Sequence, residues 1–187
     1  GILKTSNMER LTGAISLNPN FFDKKLNIQL NVKGIYNTNR FADTGAIGMA
    51  TQYDPTQPIY MDGNPYGNGY FMYMKSGNNP TPVDIGLANP VSILDSKHDE
   101  STVYRSIGNA QIDYKFHFLP ELRANLNLGY DVSKSEGDVI IEDNAPMTWC
   151  QGNYKTGFGE NSSYYQLKRN TLLDFYLNYA KEFGAHH

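Results

Sequence analysis

Leu26-Asn27-Ile28-Gln29-Leu30-Asn31-Val32-Lys33-Gly34-Ile35-Tyr36 alternates between two kinds of side chain. Leu26, Ile28, Leu30, Val32, Gly34 and Tyr36 share one face of an extended chain, and Asn27, Gln29, Asn31 and Lys33 share the other. Successive side chains of a β-strand point to opposite sides, so a period of two predicts a strand with one apolar and one polar surface. The same pattern returns at Leu122, Ala124, Leu126, Leu128, Tyr130 and Val132, set against Arg123, Asn125, Asn127 and Asp131. Gly108, Ala110, Ile112, Tyr114, Phe116 and Phe118 oppose Asn109, Gln111, Asp113, Lys115 and His117. Leu173, Phe175, Leu177 and Tyr179 oppose Asp174 and Asn178, and a weaker segment sets Leu11, Gly13, Ile15 and Leu17 against Thr12 and Ser16. None of these apolar faces carries a charge.

The connections between these segments come in two lengths. Asn18-Pro19-Asn20 through Lys25 reads as a tight turn, as does His117 through Glu121 around Pro120, and Glu182-Phe183-Gly184 reads as the start of a third. Between them lie long stretches rich in Gly, Pro, Asn and Tyr with little periodicity. The spacing therefore predicts strands near 8–18, 26–38, 104–118, 121–134 and 170–182, paired antiparallel as neighbours. Long loops are expected at 40–102 and 135–169. Compact soluble domains rarely hold such loops. Outer-membrane barrels combine short turns at one rim with long loops at the other.

Composition narrows the function classes. The chain has 187 residues and a net charge of −3, with Lys and Arg scattered, which excludes a phosphate-binding surface for nucleic acid. A mean hydropathy of −0.53 suits a soluble protein, yet a spanning barrel strand is only half apolar and averages to neutral. No run of 18 apolar residues is present, so no helix of this sequence is long enough to cross a bilayer. Gly1-Ile2-Leu3-Lys4 lacks the charged start and apolar core of a secretory signal, so the sequence reads as a mature chain or an internal stretch. The single Cys150 permits neither an internal disulfide nor a cysteine zinc site.

Amphipathic strands alone also fit a soluble β-sandwich, a carbohydrate-binding or adhesion domain whose apolar face is a core. Three features favour a barrel. The segments run to about 10–13 residues where spanning takes about 9–11. Aromatic residues (Tyr36, Tyr104, Tyr130, Phe118, Tyr179, Phe183) stand near their ends, where membrane girdles are expected. The polar faces carry Asn, Gln, Asp, Lys and Arg, which a watery lumen accepts.

Several stretches carry a resemblance. Arg40-Phe41-Ala42-Asp43-Thr44-Gly45-Ala46-Ile47-Gly48, followed by Ala50 through Tyr60, closely resembles the SusC/RagA family of TonB-dependent transporters. So do Asn89-Pro90 before Ile93-Leu94, the run from Arg105 to Asp131, and the closing Leu172 to Phe183. The resemblance is weakest at 63–82 and 139–165. It implies an all-β fold, a segment of a large antiparallel transmembrane β-barrel of 22 strands, in the outer membrane of a Bacteroidetes-type bacterium. It further implies nutrient import, of oligosaccharides or of peptides. The implied partners are a SusD-like surface lipoprotein, outer-membrane lipid and the TonB complex, which would act through parts of the protein outside this sequence. A plug domain and a TonB box are not recognised in these residues.

No cofactor, metal site or catalytic group is expected. Gly63-Asn64-Pro65-Tyr66-Gly67-Asn68-Gly69-Tyr70 lacks the Lys-Ser/Thr of a phosphate loop and reads as a flexible external loop. The acidic groups Asp95, His98, Asp99 and Glu100, and Glu136, Asp138, Glu142 and Asp143, lack calcium-loop spacing and read as solvated charge. No Ser-His-Asp order with an elbow motif appears, and no positioned carboxylate pair. The loop residues expected to face substrate or the lid lipoprotein are Trp149, Tyr154, Tyr66, Tyr70, Tyr53 and Asp54. Flat rings beside hydrogen-bonding groups suit sugar faces and protein interfaces alike.

Overall fold

The computed structural model describes residues 3–150, 156–181 and 184. Six strands form one sheet: β1 (Asn7–Leu17), β2 (Asn20–Phe21), β3 (Leu26–Phe41), β4 (Lys97–Lys115), β5 (Leu122–Ile141) and β6 (Glu160–Tyr179). Their order is β1-β3-β4-β5-β6, with the short β2 also paired to β3. Every long strand therefore lies beside its neighbour in sequence, as hairpin connections demand. Side-chain pairs fix the direction. Arg10 meets Asn37 and Ser16 meets Asn31, so one residue number rises as its partner's falls. The same holds for Arg105 with Asp131 and Ser106 with Tyr130. The sheet is antiparallel.

The tight turns are built as their residues allow. Between β2 and β3, Phe22, Asp23 and Lys24 take left-handed backbone angles, with φ of 54°, 51° and 64°, and the Lys25 N–H closes on the Phe22 carbonyl. Between β4 and β5, the Leu122 N–H donates to the Leu119 carbonyl. The expected turn at 182–184 lies almost wholly outside the described residues.

The strands run further than alternation indicated. β3 reaches Phe41, β4 begins at Lys97 instead of near 104, β5 continues to Ile141, and β6 begins at Glu160 instead of near 170. Parts of the added stretches, such as His98-Asp99-Glu100-Ser101-Thr102 and Asn161-Ser162-Ser163, are polar on both faces. They carry no hydrophobic period, although the backbone ladder continues through them. The loops contract accordingly to 42–96 and 142–159. Strands of 19 and 20 residues extend about 60 Å, well beyond the stretch needed to span a bilayer.

The chain divides into two compact units. One comprises residues 10–37, 103–135 and the described part of 165–187, which is the strand sheet proper. No second sheet covers its apolar face among the described residues: Leu11 is 71% exposed, Leu30 36% and Leu173 69%. A soluble sandwich formed by these residues alone would bury these side chains together, which the described residues do not do.

The other unit comprises described parts of 1–9, 38–102 and 136–164. Here the long loops, expected to be aperiodic and loose, build a small core of their own. Ala46, Met72, Ala88, Ile93 and Cys150 are buried together, with Met49, Leu94, Met147 and Trp149 packed on them. Three short helices contribute to this core, α1 (Gly45–Gln52), α2 (Pro90–Ser96) and α3 (Pro146–Trp149), while Met72, Ala88 and Cys150 come from outside them. α2 starts where Asn89 accepts hydrogen bonds from the Val91 and Ser92 N–H groups and Pro90 follows with its fixed φ. The amide of Asn89 also donates to the Ile59 carbonyl at 2.8 Å, tying the helix to the Tyr60–Tyr70 hairpin. Nor is the 63–70 stretch loose. Gly67 takes a φ of 81° with Met72 packed where a Cβ would stand, and Asn68 donates to the Asp143 carbonyl at 2.8 Å.

Candidate functional site

Within the strand unit the two sheet faces differ as the alternation requires. The polar face holds a groove of about 430 Å³ lined by Arg10, Asn37, Arg105, Asp131, Ser133, Lys168 and Asn170. Arg105 grips Asp131 through two N–H bonds of 2.9 and 2.7 Å, the fork-to-carboxylate geometry that fixes both groups. Arg10 donates to Asn37 at 2.8 Å. Paired charges and amides at fixed positions can hydrogen-bond a hydroxyl-rich or charged solute. Of these residues the alternation placed only Asp131 on a polar face. Their signal was long-range pairing between strands, which alternation does not report.

On the opposite face, Tyr36 and Tyr104 pack with ring centroids 5.0 Å apart. Ten residues further along β4 begins a second aromatic cluster, Tyr114, Phe116 and Phe118, with successive centroids 5.2 and 5.3 Å apart. At about 3.3 Å per residue and a tilt near 40°, these two belts stand roughly 25 Å apart, the height of a barrel's apolar band. Between them Tyr130 lies across Gly108, where an added Cβ would displace the ring, and its hydroxyl meets Ser106 at 3.0 Å.

In the loop unit, Tyr70 donates its hydroxyl to Asp95 at 3.0 Å, and Lys4 pairs with the same carboxylate at 3.5 Å. Burial, then the Asp95 carboxylate, pushes the Tyr70 phenol up to about 12, so it stays a proton donor. The Tyr60 ring, 60% exposed, lies beside Tyr70 at 5.3 Å. A displayed ring, an anchored phenol and a carboxylate thus come together. Lys97 holds Asp43 at 2.9 Å. Burial opposes the Asp43 charge, but the Lys97 bond, the Gly45 N–H and the Lys97 charge together keep its carboxyl below the usual range. His98 bridges Arg40 and Glu142. Much of the acidic run read as solvated charge is therefore engaged in pairs.

The remaining sequence candidates are placed as follows. Trp149 is half-buried, meets Tyr66 edge to face at 5.0 Å and donates to Asn144 at 2.9 Å. These contacts hold both rings in the loop core. Tyr53 stacks near Tyr73 at 6.0 Å, and its hydroxyl finds no hydrogen-bond partner among the described residues. Burial foremost, with Tyr73, Cys150 and Asp54 nearby, pushes its phenol up to about 12. Asp54 is exposed and accepts from the Thr56 N–H and hydroxyl and from Gln57, bonds that hold its carboxyl below the usual range. Tyr154 lies outside the described residues. Tyr70 is thus joined by Tyr60, Asp95 and Lys4, while Trp149 and Tyr66 form a separate packed pair. Among the described residues, no three His, Cys, Asp or Glu side chains converge to hold a metal.

Cys150, 2% exposed, offers a probe of this unit. Burial, with the Asp84 carboxylate adding to it, pushes its thiol up to about 11 from an ordinary 9. Only the thiolate reacts. Alkylation of the folded protein should therefore rise about tenfold per pH unit through pH ~10, with no plateau near pH 9. Peptide mapping of Cys150 after timed iodoacetamide exposure checks this. A plateau near 9 would mean an exposed thiol.

No family model matches the chain. The TonB-dependent receptor SusC of Bacteroides thetaiotaomicron is 36% identical over 195 aligned positions, which take in 99% of this chain and 19% of the receptor. The chain thus spans about a fifth of that relative's length, and the match runs through both the strands and the long loops.

Proposed function

Since the chain belongs to the SusC-like family of TonB-dependent receptors, we propose that it forms part of the wall and outer loops of an outer-membrane nutrient importer. The observation that carries this reading is the agreement between a match along nearly the whole chain and a sheet with two unlike faces. One face is apolar between two aromatic belts; the other is a polar groove. The apolar face suits lipid, and the polar face suits the path of a hydrated solute. Tyr60, Tyr70 and Asp95 would meet an oligosaccharide through a ring face and hydroxyl hydrogen bonds. Trp149, Tyr66, Tyr53 and Asp54 belong to the loop assembly on which a SusD-like lipoprotein would close. TonB would supply energy through other parts of the protein, and the bound solute would leave chemically unchanged.

The test is uptake by a host that depends on the full-length protein for growth on one oligosaccharide. Removing TonB should stop growth. Replacing Arg105 and Asp131 together with Ala should slow it while the protein remains in the outer membrane. Undiminished growth without TonB would refute the reading.

A further inference from the structure

On the apolar face of the strand unit, two grooves follow one another along the strands. The first, about 440 Å³, is bounded by Leu11, Gly34, Tyr36, Tyr104 and Lys134. The second, about 360 Å³, is bounded by Leu17, Leu30, Val32, Ala110 and Leu128. The register of β1 on β3 sets Gly13 opposite Gly34, and nothing lies within 4 Å of a Cβ at either. The floor there is bare backbone. The walls are aliphatic in the second groove and become aromatic and then basic in the first. Lys134 sits 5.7 Å from the centroid of the Tyr165 ring. Alternation along β6 puts Arg169 on the same face, and it makes no hydrogen bond or ion pair among the described residues. The next outward positions on β5, Glu136 and Asp138, are acidic, so the basic groups form a single band.

A long apolar trough that ends at a basic band matches an amphiphile, with chain below and anion above. A soluble anion would use the band and leave the trough empty; a neutral lipid would do the reverse. Resting on the outer-membrane reading, we propose that these grooves hold one anionic lipid. Its acyl chain lies over Gly34 and Val32, and its phosphate meets Lys134 and Arg169.

The experiment is native mass spectrometry of the full-length protein, extracted in neutral detergent and stripped of lipid. It is titrated with dioleoyl phosphatidylglycerol, with the phosphatidylcholine of the same chains, and with inorganic phosphate. Phosphatidylglycerol is expected to bind more tightly than phosphatidylcholine. Lys134→Gln should weaken phosphatidylglycerol about fivefold, the equivalent of ~1 kcal/mol per basic group at an anionic headgroup, and leave phosphatidylcholine unchanged. Gly34→Leu, which fills the trough, should weaken both lipids, and Asn127→Gln on the other face should weaken neither. Heat-modified gel mobility confirms that each variant is assembled. Equal binding of the two lipids, an unaltered Lys134→Gln variant, or full competition by inorganic phosphate would overturn the site. Release of the protein from cells without detergent would instead refute the membrane reading on which it rests.

Discussion

Replacing Ile28 or Leu126 with lysine is expected to stop the full-length protein from assembling, whereas Asn127→Lys should assemble normally. Ile28 and Leu126 lie between the aromatic belts on the apolar face, away from the basic band at Lys134 and Arg169; Asn127, one residue along, points to the other face. A lysine at the midplane of a bilayer on the lipid face costs about 2–4 kcal/mol, a large share of the 5–15 kcal/mol or so that holds a typical fold. On the polar face the ammonium would stay hydrated. The contrast is sharp because adjacent positions are compared in the same strand. Migration on unheated gels distinguishes folded barrel from unfolded chain. Similar losses for Leu126→Lys and Asn127→Lys would overturn the assignment of faces.

That assignment was legible in the sequence because burial on one side imposes a period of two. It held wherever one face needed to be apolar, as at Leu26–Tyr36 and Leu122–Val132. It gave out where both faces meet water: Lys97–Thr102 and Glu160–Ser163 are strand in the structure, yet no hydrophobic contrast marks them. The loops were hidden for a different reason. Their core joins Ala46, Met72, Ile93 and Cys150, which are far apart in sequence and fall in no common period. Asn89-Pro90 was noticed as a family motif, and its physical meaning is a helix start pinned to the Ile59 carbonyl. The candidate site was legible only in part. Tyr70 was named, but its partners Tyr60 and Asp95 are brought to it by the hairpin at Ile59–Phe71 and by α2, and Lys4 by the segment before β1. The Arg105–Asp131 pair lies 26 residues apart on neighbouring strands and becomes visible only once the register is known.

The second large effect is expected from a single added methyl group. Gly159 stands just before β6, and its N–H donates to Asp143 at 2.7 Å. A Cβ at this position would strike the Ile141 carbonyl oxygen, and would lie 2.8 Å from both the Asp143 nitrogen and the Glu142 carbonyl carbon. All three are main-chain atoms, which cannot swing aside as the end of a side chain can. Gly159→Ala should therefore push the 141–143 segment away and break the bonds that hang from it. Those include Asn68 to the Asp143 carbonyl at 2.8 Å and Asn144 to the Pro65 carbonyl at 3.0 Å. With them go the Tyr66–Trp149 contact and the cover over Cys150. Overpacking alone costs about 1–3 kcal/mol, and the lost hydrogen bonds add to it. Cys150 alkylation at pH 8 in the assembled protein should then rise at least about tenfold, the change that a loss of ~1.4 kcal/mol in protection allows. Gly48→Ala is the control: nothing lies within 4 Å of its added Cβ, and alanine favours the helix α1. It should leave the rate unchanged. Heat-modified mobility should persist in both variants, because the disturbed contacts lie in the loop unit. If Gly159→Ala labels no faster than Gly48→Ala, the 141–143 segment is not what keeps the loop core closed.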